Sequence, residues 1–384
     1  MRVLVAGAGI SGLAAARGLI GAGHEVVVLE QAPQPRVQGG AITLWHNGTA
    51  ILGDLGVDLE GTGQPLTTLC LRTARGRRVL EFDLAALAER FESVARVIPR
   101  GSLITLLESG LPQGTVRFGA RVAELRADGG GVQVRTQAGQ EYAGDVLVGA
   151  DGVRSRVRTL VLGDGPAALT GVATWQGLTP APFDPGSTTT MMVGRQGDFG
   201  YMGAGDGLMQ WFFDVPWSPG APPEDKPLEM LRRRFGGWGS PVERVLASLG
   251  EGDAEAFPHT RHKVPRRWGG GRCVLLGDAA HGMPPVMAQG TNQALEDVAT
   301  LVDCLGAVPD PASVVDVHSV VEVYSARRRR QAALASTIAT HSLAVSGPRT
   351  LLQGEYLLRL NGAAPPRLAT RGFGTLLRTL SDRI

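Results

Sequence analysis

Arg2-Val3-Leu4-Val5-Ala6-Gly7-Ala8-Gly9-Ile10-Ser11-Gly12 reads as a buried parallel strand running into a glycine-spaced turn. Leu13 to Gly23 continues it as a helix, with Ala16 where helix and strand must pack closely. Val26-Val27-Val28-Leu29 is a second strand and ends in Glu30. Each residue type has a physical task. Gly7 permits the tight turn, Gly9 leaves room for a pyrophosphate, and Gly12 lets the helix approach the sheet. Backbone N–H groups at the helix start face the phosphates with the helix dipole behind them. Glu30, eighteen positions after Gly12, is placed to accept from ribose hydroxyls. The spacing alone is weak in a chain with 54 glycines. The strand before it, the helix after it and the acid together predict a dinucleotide site.

A second turn lies 265 residues beyond Gly12. Leu275-Leu276-Gly277-Asp278-Ala279-Ala280-His281 is followed by Pro284-Pro285 and Gln289-Gly290-Thr291-Asn292. Two such turns suggest a long cofactor held at both ends, which fits FAD better than a nicotinamide. Glu30 agrees, because an acid there disfavours a ribose 2′-phosphate and leaves FAD or NAD. Asp278, at a helix entry, is placed to accept from ribityl hydroxyls. Pro284-Pro285 stiffens a loop. Gly290, Thr291 and Asn292 present backbone N–H groups at the start of the Gln293 helix, donors suited to negative charge at a flavin pyrimidine edge. His281 reads as structural, hydrogen-bonded to backbone in the turn. Asp145 to Arg158 ends another strand at Asp151-Gly152. Asp151 either caps the turn or accepts from the cofactor or the donor nucleotide.

Bulk properties exclude several classes. At 384 residues the chain can bury a large core in two joined domains. A net charge of +2 gives no footprint for nucleic acid. Arg327 to Arg330 is expected to be the solvated face of a helix, with a phosphate patch as the lesser alternative. Cys70, Cys273 and Cys304 form no C-x-x-C pair, which disfavours a dithiol centre or zinc cluster and fits a reducing cytoplasm. His259 and His262 have ligand spacing but no convincing third ligand, so a surface loop is expected and a metal is not. No signal peptide, membrane span or membrane partner is expected.

The strand–helix pattern of the first 60 residues gives way to a hairpin over Leu69–Asp83, turning at Ala74-Arg75-Gly76. A helix is expected at Leu103–Leu107. Strands follow at Thr115–Phe118, Val122–Ala127, Gly131–Thr136, Glu141–Ala143 and Val146–Ala150. From 166 to 264 short glycine-punctuated strands predict a mixed sheet inserted into the first domain. A Pro-rich loop, Pro216–Pro227, then precedes a helix at Leu228–Phe235. Strand 272–276, a helix over Gln293–Leu305 and a long helix over Val314–Val345 complete the pattern. Gly347-Pro348 breaks the last helix, and Arg-rich amphipathic pieces follow.

Together the motifs resemble the single-component FAD-dependent aromatic hydroxylases, the para-hydroxybenzoate hydroxylase-like flavoprotein monooxygenases. Gly7, Gly9 and Gly12 match the family's first mark. Asp151, Gly152, Arg154, Ser155 and Arg158 match the second. Gly277, Asp278, His281, Pro285, Gly290, Asn292 and Asp297 match the third. Arg100 with Leu103 matches its Arg-x-x-Leu, Gly40-Ala41-Ile42 and Leu55-Gly56 its early loop, and Tyr324 with Arg327-Arg328 its late helix. Ala288 stands where some members have glycine. Trp45-His46 replaces a more usual proline near the flavin, which suggests unusual substrate choice.

The resemblance implies an α/β fold: a Rossmann-like FAD-binding domain with an inserted mixed β-sheet substrate domain and C-terminal helices. The boundaries expected are 1–70, 95–165 and 265–330 for the FAD-binding domain, 71–94 and 166–264 for the substrate domain, and 331–384 for the helical segment. It also implies a cycle in which NADH or NADPH reduces FAD and dioxygen forms a flavin C4a-hydroperoxide. That species hydroxylates an electron-rich ring, and the apolar bias of the expected substrate contacts, Trp211 and Phe213 among them, suggests an aromatic or polycyclic small molecule. Epoxidation and Baeyer–Villiger insertion use the same chemistry and stay open. Expected cofactor contacts are Gly7, Gly9, Gly12, Glu30, Gly40, Ala41, Arg100, Asp151, Asp278, Gly290, Thr291 and Asn292. Expected substrate contacts are Trp45, His46, Met191, Tyr201, Gln210, Trp211, Phe213 and Pro285. Pro285 and Gly290 are expected near the reacting atoms, and His46 is the candidate base.

Three rivals differ in mechanism. A flavin-dependent halogenase would carry W-x-W-x-I-P, which Trp211-Phe212-Phe213-Asp214-Val215-Pro216 does not match. A plain NAD dehydrogenase leaves the Gly277-Asp278 segment unexplained. A flavin-binding sensor without turnover has no use for the Pro285–Gly290 loop. The sequence leaves the oligomeric state open.

Overall fold

A computed structural model describes residues 1–128, 130–218, 226–307, 314–346 and 365–384. Most of the expected Pro-rich loop, the Gly347-Pro348 break and the start of the tail lie outside them.

The apolar run Val3-Leu4-Val5 forms the centre of a six-stranded sheet and is completely buried. Strand Arg2–Ala6 has parallel neighbours on both sides, Val146–Gly149 and Glu25–Leu29. Cys273–Leu275 and Val116–Arg117 extend the parallel set, and the short Gly269–Gly270 closes one edge antiparallel. Near-continuous apolar runs are what a sheet covered on both faces requires. Helix Ile10–Gly21 follows the first strand and packs against helix Gln289–Gly306. They meet at Gly18, where an added Cβ would lie 2.8 Å from Val302 Cγ2. A Cβ on Gly277 would lie 3.2 Å from Ser11 Oγ, so the two glycine turns of the sequence are neighbours in space.

A seven-stranded sheet runs Glu255–Arg261, Ala168–Pro180, Leu208–Pro216, Gly197–Gly205, Thr188–Gly194, Thr68–Thr73, Arg78–Asp83. It is antiparallel except where Thr188–Gly194 lies parallel to Thr68–Thr73. The expected hairpin thus joins the later strands in one mixed sheet. Alternation along Leu208–Pro216 assigns its faces. Met209, Trp211, Phe213 and Val215 point into a core closed by helices Pro227–Phe235 and Ser240–Ser248. Gln210, Phe212 and Asp214 point the other way, toward the parallel sheet.

Several elements depart from the sequence reading, among them helix Leu84–Phe91 and strand Arg96–Pro99, which it did not give. Residues 240–248 form a helix that starts with Pro241 in its first turn. Residues 255–261 form a strand rather than a surface loop, and His259 and His262 are buried. Pro258 obscured that strand, and it is tolerated because the strand is at the sheet edge. The arginine run is also not uniformly solvated: Arg328 is completely buried. Helix Pro366–Thr379 packs on the 78–83 strand and brings Phe373 edge-on to Trp45, ring centroids 5.2 Å apart. Among the described residues no helix is long and apolar enough to cross a membrane.

Candidate functional site

One cavity of about 820 Å³ runs between the two sheets. That lies toward the top of the range for ligand pockets, roughly 300–1,000 Å³. One end is lined by Gly7, Ala8, Gly9, Glu30 and Arg36, the middle by Arg100, Asp151, Asp278 and Gly290, and the far end by Gln210, Phe212 and Asp214.

The nucleotide end has the shape an elongated phosphate ligand needs. A Cβ on Gly9 would meet nothing within 4 Å, so the missing side chain leaves free space in the cavity wall. A Cβ on Gly7 would lie 2.5 Å from the carbonyl oxygen of Ala150, and Gly7 has φ 103°. Gly12 presses against the Gly7 carbonyl and does not line the cavity. Helix Ile10–Gly21 has neither a side-chain cap nor an acid in its first turn, so its N-terminal N–H groups suit an anion. Glu30 accepts from the N–H groups of Ala8 and Ala32, both at 2.7 Å. This holds its carboxylate beside the turn. Arg36, Arg100, Arg121 and Arg154 add positive charge to the lining.

The middle of the cavity is shaped by the other two motifs. Asp151 accepts from Ser155 Oγ at 2.5 Å and from the N–H groups of Arg156 and Val157 at 2.7 and 3.1 Å. It caps its helix and still lines the cavity. Burial pushes its carboxyl up against those bonds. Asp278 is open to the cavity but ringed by protein, and loss of solvation raises its carboxyl as well. Helix Gln289–Gly306 begins beside Asp278, again without a side-chain cap or a first-turn acid. Its N-cap, Ala288, is held at φ 49°, the left-handed conformation that explains why glycine suits this position. Arg100 donates to the Arg36 carbonyl at 3.0 Å and pins the loop over the cavity. Burial lowers its guanidinium, helped by the charge of Arg36. These open glycine, ribose-side acid and uncapped helix starts fit FAD along the cavity.

Asn292 sits one layer back. Its Oδ1 accepts from Trp45 N at 2.9 Å, and its Nδ2 donates to Thr43 and Ala288 carbonyls at 3.1 and 2.7 Å. It ties the early loop to the Gly290 loop and does not line the cavity. Gly290, Thr291 and Ala41 do line it. Gly40 supports it from behind: a Cβ there would lie 2.7 Å from Gln210 Oε1, the atom that accepts from Ala41 N at 2.6 Å.

The substrate-side expectations need more correction. Gln210 and Pro285 line the cavity. Trp211 and Phe213 are completely buried on the opposite face of their strand, within the sheet–helix core. Tyr201 packs edge-on against Phe183, and neither it nor Met191 reaches the cavity. Trp45 donates from its indole to the Met287 carbonyl at 3.1 Å and packs beneath the wall. His46 is completely buried, with Nε2 3.2 Å from the Leu84 carbonyl and its ring against Phe91. Burial lowers it, and it does not line the cavity, which removes the geometric support for His46 as the base.

In their place the cavity presents Thr174, Gln176, Met202, Phe212, Asp214 and Phe257. The sequence carried the signal for two of them. Once Gln210 is set on the cavity face, strand alternation brings Phe212 and Asp214 with it and excludes Trp211 and Phe213. Asp214 is buried to 8 % exposure, which pushes its carboxyl up to about 6. His259 behind it is pushed down by burial to about 4.

His281 is structural, but its partner is a carboxylate rather than backbone: Nε2 lies 2.6 Å from Asp297 Oδ2. Asp297 also accepts from Arg328 Nε at 2.8 Å and Gly277 N at 3.0 Å. This network anchors the Gly277-Asp278 turn from below. Among the described residues no group of three or more His, Cys, Asp or Glu is arranged to hold a metal.

Comparison with known proteins agrees with this geometry. The chain is 33% identical over 342 residues to an FAD-dependent urate hydroxylase of Klebsiella pneumoniae subsp. pneumoniae, covering 85% of this chain and 86% of that one. It is 34% identical over 317 residues to a 3-amino-4-hydroxybenzoate 2-monooxygenase of Streptomyces cremeus, covering 80% and 79%. Its structure matches that of Klebsiella pneumoniae HpxO complexed with FAD and uric acid, with a TM-score of 0.91, 29% identity and coverage of 99% and 97%. A family model described as an FAD binding domain matches residues 1–337. The chain belongs to this FAD binding domain family and is an FAD-dependent monooxygenase of the aromatic-hydroxylase type.

Proposed function

We propose that the enzyme uses NADH or NADPH and dioxygen to hydroxylate a small, polar, electron-rich aromatic or N-heteroaromatic ring. The observation that carries this is the continuity of the cavity. The space beside the Gly7–Gly9 turn and Glu30 continues to a wall made of Gln210, Phe212 and Asp214. A cofactor along the first part would present its reactive end to a ligand at the second.

The composition of that wall narrows the substrate. Phe212, Met202 and Phe257 offer apolar surface, and Thr174, Gln176, Gln210 and Asp214 offer polar groups. An apolar body with several placed polar groups is the pattern of a specific small-molecule site. Large apolar polycycles lose support, because Trp211 and Phe213, which favoured them, belong to the core. Bound FAD supplies the oxygen chemistry. The chain's residues bind the ring, orient it and exclude water. The buried thiols suit a reducing compartment such as the cytoplasm.

The test is NADH and NADPH oxidation by the FAD-loaded protein with uric acid, phenols and aminohydroxybenzoates, the product being analysed by mass spectrometry. Substrate-stimulated oxidation and a product carrying one added oxygen are expected. FAD that binds without any substrate-stimulated oxidation across that set would sink the reading.

A further inference from the structure

Asp214, Thr174 and His259 form a polar chain across three adjacent strands of the seven-stranded sheet. Thr174 and Asp214 are directly opposite in register on strands Ala168–Pro180 and Leu208–Pro216. His259 comes from the edge strand Glu255–Arg261. The Thr174 hydroxyl contacts Asp214 Oδ1 and also His259 Nε2, the latter at 2.5 Å. The chain has one wet end. Asp214 and Thr174 line the cavity, whereas His259 is completely buried and its Nδ1 has no partner. The polar contacts of Asp214 with Thr174 and His259 both fall on Oδ1, so neither engages Oδ2 of this cavity-lining side chain.

Nothing about folding calls for this arrangement. A buried carboxylate costs free energy unless a cation or several donors compensate it. Thr174 supplies one hydroxyl, and His259, 3.8 Å away, is held neutral by its own burial. Valine and leucine would pack these positions at lower cost. Buried carboxyls kept near neutrality in a cleft are instead the pattern of groups that exchange protons with a ligand.

The geometry points to Asp214 as the catalytic base that takes a proton from the substrate, with Thr174 and His259 behind it as the positioning residues. This rests on the proposed reading that the substrate ring occupies the Gln210–Asp214 end of the cavity. A substrate O–H or N–H bond breaks and an Asp214 carboxyl O–H bond forms. The electron pair stays on the ring heteroatom and enriches the ring for attack by an electrophilic oxygen. No oxidant is consumed. The Thr174 hydroxyl can donate to either neighbour, so it passes hydrogen-bond polarity between Asp214 and His259 as the carboxyl changes state. The substrate class that follows is an ionisable ring, a phenol or an N–H heterocycle.

The pH dependence has a defined sign. Asp214 must be ionised to accept, and its carboxyl is pushed up to about 6 by burial, so turnover falls as pH drops through that value. The other titratable or charged groups on the flanking strands are Asp198, opposite in register, and Tyr201 on Gly197–Gly205, and Glu255, His259 and Arg261 on the edge strand. A charge on Asp198 shifts the midpoint upward without removing the limb.

The experiment compares wild type, Asp214→Asn, Thr174→Val and His259→Phe as FAD-loaded proteins, with uric acid as probe. Two readouts are taken: the pH profile of coupled product formation, and an infrared titration of the protonated-carboxyl C=O band. Asp214→Asn is expected to lower the rate of product formation by 100-fold or more, a typical effect of losing a general base. It should also lose the acid limb and the band that titrates near 6. Thr174→Val should keep FAD and move both midpoints together, and His259→Phe should do the same. An acid limb unchanged in Asp214→Asn overturns the proposal. So does a Thr174→Val variant with full product yield and unmoved midpoints. If wild type itself gives no product with uric acid, the substrate reading fails for that ligand. The infrared titration then decides alone: a band near 6 that Asp214→Asn abolishes and uric acid binding shifts supports the assignment, and a band indifferent to the ligand overturns it.

Discussion

His281 Nε2 lies 2.6 Å from Oδ2 of Asp297, and both side chains are completely buried. The same carboxylate carries Arg328 Nε on its other oxygen and Gly277 N on the first. Burial alone would raise the Asp297 carboxyl, but His281 and Arg328 outweigh it and hold it below the usual carboxylate range. Asp297→Ala leaves Arg328 buried without its counter-charge. It is expected to cost about 3–5 kcal/mol, read from urea unfolding near neutral pH. A lowered carboxyl contributes stability above the ordinary carboxylate range and loses it as pH falls through the lowered value. The variant should therefore lose less stability on acidification than wild type. An equal acid dependence would show that the network is not what anchors the turn.

Gly9 and Gly12 look equivalent in a motif and are not equivalent in space. Gly9 has φ −77° and nothing within 4 Å of an added Cβ, so Gly9→Val does not strain the protein itself. The added methyls occupy the cavity instead. FAD affinity should fall by tenfold or more while apoprotein unfolding is unchanged. Gly12→Ala drives a methyl into the Gly7 carbonyl and must move backbone. It should destabilise the apoprotein as well as weaken FAD. Titration of apoprotein with FAD by flavin fluorescence, beside thermal unfolding without FAD, separates the two. A Gly9→Val apoprotein as damaged as Gly12→Ala would refute the assignment.

Legibility in the sequence followed the range of the interactions. The turn at Gly7–Gly12 depends on residues a few positions apart, and the structure builds it as read, with Glu30 beside it. The hairpin at 68–83 was legible for the same reason. The substrate wall was not, because side-chain composition pointed to aromatics while the pleat decides by alternation. Trp211 and Phe213 share a strand with Gln210 but not a face. His46 follows the early loop directly, yet it opens the helix His46–Asp54 and turns inward under Leu84. Asp214 and His259 are 45 positions apart, and only the antiparallel register of three strands joins them through Thr174.

The alternation at 211 and 212 can be tested by a pair of truncations. Trp211 fills the core between the sheet and helices 227–235 and 240–248. Trp211→Ala should cost about 3–5 kcal/mol and reduce the yield of folded protein. Phe212 is only half-buried and faces the cavity. Phe212→Ala should leave stability within about 1 kcal/mol and raise KM for the productive substrate with little change in FAD affinity. Urea unfolding and steady-state kinetics on the two variants check this. The opposite pattern would exchange the two faces of the strand.

The carboxyl of Asp214 also has a stability signature independent of any substrate. Its folded value, raised by burial to about 6, lies above the ordinary carboxylate value of 3.8. A carboxyl raised in this way favours the folded state while protonated, and that advantage is lost as pH rises from about 4 through about 6. The full difference is about 3 kcal/mol. Asp214→Asn cannot ionise, so it should escape the loss. The variant is expected to gain on wild type progressively between pH 4 and 7 and to hold a constant lead above that. Parallel urea titrations of the two apoproteins across this window measure the difference directly. A lead that does not grow with pH would mean that Asp214 is as well solvated in the folded cavity as in the unfolded chain, and would remove the physical basis for a base poised near neutrality.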